Sequence, residues 1–345
     1  MNKKALITGI TGQDGIYLSQ FLLEKGYDVY GMDRHKSHLD RGRLDNIKLF
    51  AKKNMLIFEI FYGDIGDTGS LYKLLSKTQP DEIYNFASQS HVHLSYEEPE
   101  LTTQVNANGM LSILEAINFI KPSCKFYQAC SSELFGDPSE VPQTETTSFH
   151  PKNPYAISKL YSYWMTRFYR NHHKMFVCNG ILYNHESPLR GENFVTRKIT
   201  YSLARIKAGL QECLCLGNYD SRRDWGFAGD YVEAMWKILQ AEKPDDYVIS
   251  TGETHSIRDF INRAVKIAGF EIEWQGSGVD EIVVDRETNK TIIAINPKFY
   301  RAVEKNMLVG DSSKARKLLD WEPKVNFDGL VEMMMEADLK TFNLI

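Results

Sequence analysis

Apolar residues come first as a short unbroken run, KALIT at 4–8, and then recur every third or fourth place through YLSQFLLEKGY at 17–27. A run without alternation predicts a strand buried on both faces, and the spacing after it predicts a helix. Gly26 ends that helix, and DVYGMD (28–33) reads as the second strand. The alternation continues. Strands are predicted in MLIFEIFYGD (55–64), EIYNFA (82–87), KFYQACS (125–131) and MFVCNGILY (175–183). Helices are predicted in SLYKLLSKT (70–78), GMLSILEAINFI (109–120) and YAISKLYSYWMTRFYRNH (155–172). Strands alternating with helices give an α/β, Rossmann-type, doubly wound parallel sheet covered on both faces.

After about residue 185 the rhythm breaks at a polar segment, HESPLRGENFVTRK. Residues 274–304 then read as strand- and loop-rich, and KVNFDGLVEMMMEADLK (324–340) as a closing amphipathic helix. The expected division is therefore 1–184, mainly the dinucleotide-binding domain, and 185–345, mainly a smaller, interleaved C-terminal α/β substrate region. Some of its segments are expected to return to the first domain. No internal repeat or low-complexity tract is visible.

Composition narrows the function. With 345 residues and 43% apolar content the chain can bury a sizeable core. A net charge of −4, with both signs mixed throughout, argues against a broad nucleic-acid footprint. Five scattered cysteines (Cys124, Cys130, Cys178, Cys213, Cys215) lack metal-ligand spacing; no metal site is expected, and reduced thiols in a cytoplasm are. The apolar start stops at Gly12-Gln13-Asp14, too early for a signal core, and no run reaches the length needed to span a membrane.

Gly9, Thr11, Gly12, Gln13, Asp14 and Gly15 lie between the first strand and the first helix, with the spacing Gly-x-x-Gly-x-x-Gly. Glycines there permit a tight turn and let backbone N–H groups approach a pyrophosphate. The second strand ends in Asp33-Arg34-His35-Lys36. The acid favours the ribose 2′-OH of NAD, whereas Arg34 and Lys36 favour the 2′-phosphate of NADP; on the residues alone the two balance. Asp64, closing FYGD, suits either an adenine contact or a plain turn.

Tyr155 and Lys159 are four apart on the predicted helix opened by Asn153-Pro154, so they face the same way. An ammonium beside a phenol favours phenolate and gives a base usable near neutral pH. With the glycine turn, the pair resembles the short-chain dehydrogenase/reductase superfamily, in its sugar-nucleotide-modifying branch. The resemblance implies that Ser131, at the end of KFYQACS, bonds the sugar oxygen being oxidised. Glu133 is more than a simple dehydrogenase or 4-epimerase needs. A carboxylate there could remove a proton beside a new ketone and help expel a hydroxyl.

TGITGQDG, SSELFG, PYAISKLYSYW, NHESP with RGENFVTRKIT, RDWG and GVDE together resemble the GDP-mannose 4,6-dehydratase family, over residues 4 to 340. The resemblance implies conversion of GDP-D-mannose to GDP-4-keto-6-deoxy-D-mannose. GDP-D-glycero-D-manno-heptose stands as the alternative substrate, and a sugar-nucleotide 4-epimerase or 4-reductase as the alternative activity. Tyr155, Lys159, Ser131 and Glu133 are the implied catalytic residues. Ser132 is either a substrate helper or a turn hydroxyl. Asn184, Lys198, Arg223, Arg301 and Glu304 match substrate-binding positions. Ser90, His185 and Arg190 join the glycine turn, Arg34, Lys36, Asp64, Tyr155 and Lys159 as cofactor-binding positions. The implied cofactor is NADP, with NAD as the alternative because of Asp33. A GDP-sugar partner and a homodimer or homotetramer complete the expectation.

Overall fold

The computed structural model describes residues 2–34, 42–300 and 307–345. Its backbone separates into two units. The first comprises 1–183, 228–249 and 310–322, and the second 184–227, 250–309 and 323–345.

The first unit is built on seven parallel strands: β1 Lys4–Thr8, β2 Asp28–Asp33, β3 Phe58–Tyr62, β4 Glu82–Asn85, β5 Lys125–Ser131, β6 Val177–Leu182 and β7 Asp246–Ile249. Their spatial order is β7-β6-β5-β4-β1-β2-β3, so the chain reverses its direction of travel beside β1. In β2 and β6 every residue is buried, which is why their sequences read as unbroken rather than alternating. On one face, Leu6, Ile83, Phe126 and Val177 form a core with Leu71 and Leu75 of helix Thr68–Thr78 and with Ile113 and Ile117 of helix Met110–Ile120. Helix α1, Gln13–Glu24, packs with helix Ala228–Gln240 in a separate layer.

Three differences from the sequence reading have local causes. Helix α1 begins at Gln13 rather than at the first apolar residue, Tyr17, because the glycine turn itself supplies its N-cap, Gly12. Strand β3 is shorter than MLIFEIFYGD, since Met55 takes a left-handed φ of 55° and the chain turns at Ile65-Gly66, where the Asp67 N–H donates to Asp64 O. The seventh strand, β7, lies in DYVI, too short a run to announce itself. The Pro154–His172 helix (α2 below) follows the reading.

In the second unit, helices α3 Val195–Lys207, α4 Ile257–Ala268 and α5 Phe327–Thr341 pack around Leu203, Phe260, Ala264, Val331 and Met335. They are accompanied by a four-stranded sheet in the order Ile272–Gln275, Ile282–Asp285, Lys290–Ile295, Leu214–Leu216. A register shift between Val283 and Val284 breaks the alternation there, so the sequence looks loop-rich.

Candidate functional site

The glycine turn closes on itself before the helix opens. Gly9 has a φ of +69°, and a Cβ on it would sit 3.0 Å from the Ala87 nitrogen. Gly15 is tighter still, with a virtual Cβ 2.6 Å from the Gly9 carbonyl oxygen. The Gly12 N–H donates to Gly9 O at 3.0 Å, and no side chain caps α1. A helix N-terminus that opens on a glycine turn in this way favours a nearby anion.

A cavity of about 400 Å³ lies along this turn, lined among others by Gly12, Asp33, Arg34, Asp64 and Ser90. Asp33 is buried at the end of β2 and accepts the Thr11 hydroxyl at 3.1 Å. Asp64 lines the same cavity while also accepting the Gly66 N–H at 2.8 Å, so the turn role and the lining role coexist. The cavity's position at the carboxyl ends of parallel strands, beside a turn that admits no Cβ, fits a dinucleotide. Lys36 lies outside the described residues, as do Arg301 and Glu304.

Ser131 ends β5, and its Oγ accepts the Glu133 N–H at 3.2 Å, starting a short 3-10 turn, Ser132–Leu134. Ser132 is buried, whereas Ser131 and Glu133 are half-buried. Helix α2 spans Pro154–His172 and is capped by Asn153, whose Oδ1 accepts the Ala156 N–H at 2.7 Å. The other arm of that amide, Nδ2, donates to Glu133 Oε2 at 3.1 Å. Tyr155 and Lys159 are both buried on α2. The Lys159 ammonium donates to Ala129 O at 3.0 Å and lies 5.9 Å from the centre of the Tyr155 ring. Burial pulls the Lys159 pKa down from 10.5 to about 8; Cys130 and Asp14 oppose that shift without cancelling it. The structure thus brings Ser131, Glu133, Tyr155 and Lys159 to one end of the sheet through β5 and α2.

Two sets of supporting contacts were not legible in the sequence. Asn106 sits in a π-helical stretch, Gln104–Gly109. Its Oδ1 accepts from Gln89 N (2.8 Å) and Ser88 Oγ (2.9 Å), its Nδ2 donates to Ser158 Oγ (3.1 Å), and its carbonyl accepts from Ser162 Oγ (2.7 Å). One buried amide therefore ties the cavity wall after β4 to the helix of Tyr155 and Lys159. The sequence placed Asn153 at the opening of the helix, but its reach to Glu133 was not visible there.

The second unit holds the other positions. Asn184 and His185 lie in a short strand, Asn184–Glu186, paired in parallel with Trp225–Phe227. Glu186 is buried and takes the Thr196 hydroxyl (2.5 Å) and the Arg190 guanidinium (3.1 Å), folding the NHESPLRGENF segment back on itself. Arg190 also stacks over Phe194 at 3.7 Å. Lys198, on α3, donates to Cys215 O at 2.7 Å. The Arg223 strand is braced by buried Asp224, which accepts from Thr251 N (2.9 Å), Thr251 Oγ1 (2.6 Å) and Gly252 N (3.0 Å). Among the described residues no cluster of three His, Cys, Asp or Glu could hold a metal ion, and no helix is long and apolar enough to cross a membrane.

The family model "GDP-mannose 4,6 dehydratase" matches residues 6–334. The GDP-mannose 4,6 dehydratase of Drosophila melanogaster is 50% identical over 342 residues, covering 98% of this chain and 87% of that protein. Among solved structures, UDP-glucose 4-epimerase from Bifidobacterium longum, in complex with NAD+ and UDP, has a TM-score of 0.80 at 21% identity, covering 99% of this chain and all of that one. RMD from Pseudomonas aeruginosa, complexed with NADPH, has a TM-score of 0.78 at 22% identity, covering 99% of both chains. At that identity these two structures speak to the fold.

Proposed function

The chain belongs to the GDP-mannose 4,6-dehydratase family, and from that premise we propose that it converts GDP-D-mannose to GDP-4-keto-6-deoxy-D-mannose and water. The observation that carries the chemistry is Glu133, a carboxylate on the turn after Ser131, hydrogen-bonded to the cap of the helix bearing Tyr155 and Lys159. A 4-epimerase or 4-reductase has no use for an acid that expels water. The names of the family and the relative support mannose, and the heptose alternative has no support in them.

Tyr155 removes the proton from the C4 hydroxyl, with the Lys159 charge favouring the phenolate. Ser131 holds O4. Glu133 takes the C5 proton, acidified by the neighbouring C4 ketone, and protonates the C6 hydroxyl as it leaves. A nicotinamide held at the glycine turn would supply the redox chemistry, as acceptor of the C4 hydride and its donor to C6. C5 then takes one proton, equal to the one Tyr155 removed from the C4 hydroxyl, so no external reductant is consumed. Ser132 keeps both readings, substrate helper and turn hydroxyl.

The glycine turn and its cavity support a nicotinamide dinucleotide. We take it to be NADP on the strength of Arg34 and Lys36, with Asp33 in the same cavity favouring NAD. Asn184, Lys198, Arg223, Arg301 and Glu304 are proposed for the GDP-sugar, and Ser90, His185 and Arg190 for the cofactor. Free cysteines support a cytoplasmic setting. An exposed apolar stripe on α2 (Ile157, Tyr161, Trp164 and Phe168) supports a homodimer or homotetramer. A single monomeric species in sedimentation equilibrium contradicts that assembly. The activity itself is tested by mass spectrometry of GDP-mannose incubated with the protein and NADP, without reductant. Loss of one water with no net NADPH supports dehydration; an unchanged mass rejects it.

A further inference from the structure

The amide of Asn153 holds two things at once. Its oxygen accepts the Ala156 N–H (2.7 Å) and so fixes the start of α2, while its nitrogen donates to Glu133 Oε2 (3.1 Å). The cap settles which end of the amide is which, because only the oxygen can accept from a backbone N–H. Asn153 itself is buried, with extended backbone, and is followed by Pro154, whose fixed φ suits the first helical position. Tyr155 comes next. A single rigid side chain thus ties the carboxylate on the β5 turn to the first turn of the tyrosine helix.

We propose that Asn153 is a positioning residue for the elimination step: it aims the Glu133 carboxylate at C5 of the sugar and sets its distance from Tyr155. This rests on the dehydratase reading above. With Oε2 occupied by Asn153, Oε1 is the oxygen that takes the C5 proton and hands it to the C6 hydroxyl as the C6–O bond breaks. The carboxylate ends as it began, and the proton leaves in water. Fixing one oxygen restricts rotation of the carboxylate, and a misplacement of about an ångström at such a group costs on the order of a hundredfold in rate.

Serine and aspartate cap helices about as well as asparagine. Asn153→Ser keeps the cap oxygen and loses the second arm, and Asn153→Asp keeps the cap while setting a carboxylate oxygen against Glu133. The two variants therefore separate positioning from folding. Steady-state turnover of GDP-mannose, and of GDP-mannose deuterated at C5, is measured for wild type and both variants, alongside thermal unfolding. The expectation is near-native melting temperatures, little change in KM, and kcat lowered about 10- to 100-fold for Ser and further for Asp. The C5 isotope effect on kcat should rise in both, because C5 proton removal becomes the slow step. Variants that turn over like wild type, or that lose activity in step with melting temperature at an unchanged isotope effect, overturn the proposal alone. A wild-type protein that removes no water overturns the dehydratase reading and this inference together.

Discussion

Lys159 should destabilise the protein it serves. Burial lowers its pKa from 10.5 to about 8, so the folded chain holds this proton less tightly than the unfolded chain does. That interval corresponds to about 3 kcal/mol. Between pH 8 and pH 10.5 the unfolded state binds more proton, so stability rises with pH across that window; below about 8 the whole penalty is present. Lys159→Met removes the charge at nearly constant volume. The Ala129 carbonyl loses the ammonium but keeps the Gln128 Nε2 hydrogen bond at 2.9 Å, so the loss there costs about 1 kcal/mol. The expected net effect at pH 7 is a gain of about 1–2 kcal/mol in the cofactor-free protein, with kcat/KM falling by about 10²- to 10⁴-fold. Urea unfolding of both proteins at pH 7 and at pH 10 gives the comparison. The advantage of the variant should shrink as pH rises, because the wild-type penalty is released. A variant less stable than wild type at pH 7, or a difference independent of pH, refutes the assignment of Lys159 as a desolvated cation.

Glu133→Gln retains a group able to accept the Asn153 N–H, so KM for GDP-mannose should hold while kcat falls by about 10²- to 10⁴-fold, read by the rate of water loss. Near-native turnover by that variant removes Glu133 from the proton transfers. Gly9→Val forces a β-branched residue to a φ of +69° with its Cβ 3.0 Å from Ala87 N, so it should weaken cofactor binding at least tenfold in a titration, or fail to fold. Unaltered cofactor affinity in a folded variant contradicts the turn's role.

Much of the first unit could be read from the chain because its signals are local. The KALIT run, the glycines after it and the 3.6-residue spacing beyond are contiguous, and each carries its own cause. Tyr155 and Lys159 were legible for the same reason: four residues on one helix face need no tertiary information. The short strand β7 was not, since DYVI becomes a strand by pairing with β6, distant in sequence. The sheet of the second unit was legible only as a strand- and loop-rich stretch, since the shift between Val283 and Val284 disrupts the period-2 pattern. Within the site, the Asn-Pro pair marked where the helix opens, yet the bond from Asn153 to Glu133 spans 20 residues of chain and shows only in the fold. Asn106 is the clearest case of hidden support. Nothing around it in QVNANG signals that it will bridge Ser88, Gln89, Ser158 and Ser162.

The central claim is that a redox-neutral elimination occurs in which hydrogen leaves C4 and arrives at C6. GDP-mannose carrying deuterium at C4 tests it most directly, incubated with the protein and unlabelled NADP and followed by NMR of the product. The account predicts a 4-keto-6-deoxy sugar with the deuterium at C6 and no net reduced cofactor. Deuterium still at C4 in a C4 epimer, with no water lost, would contradict it.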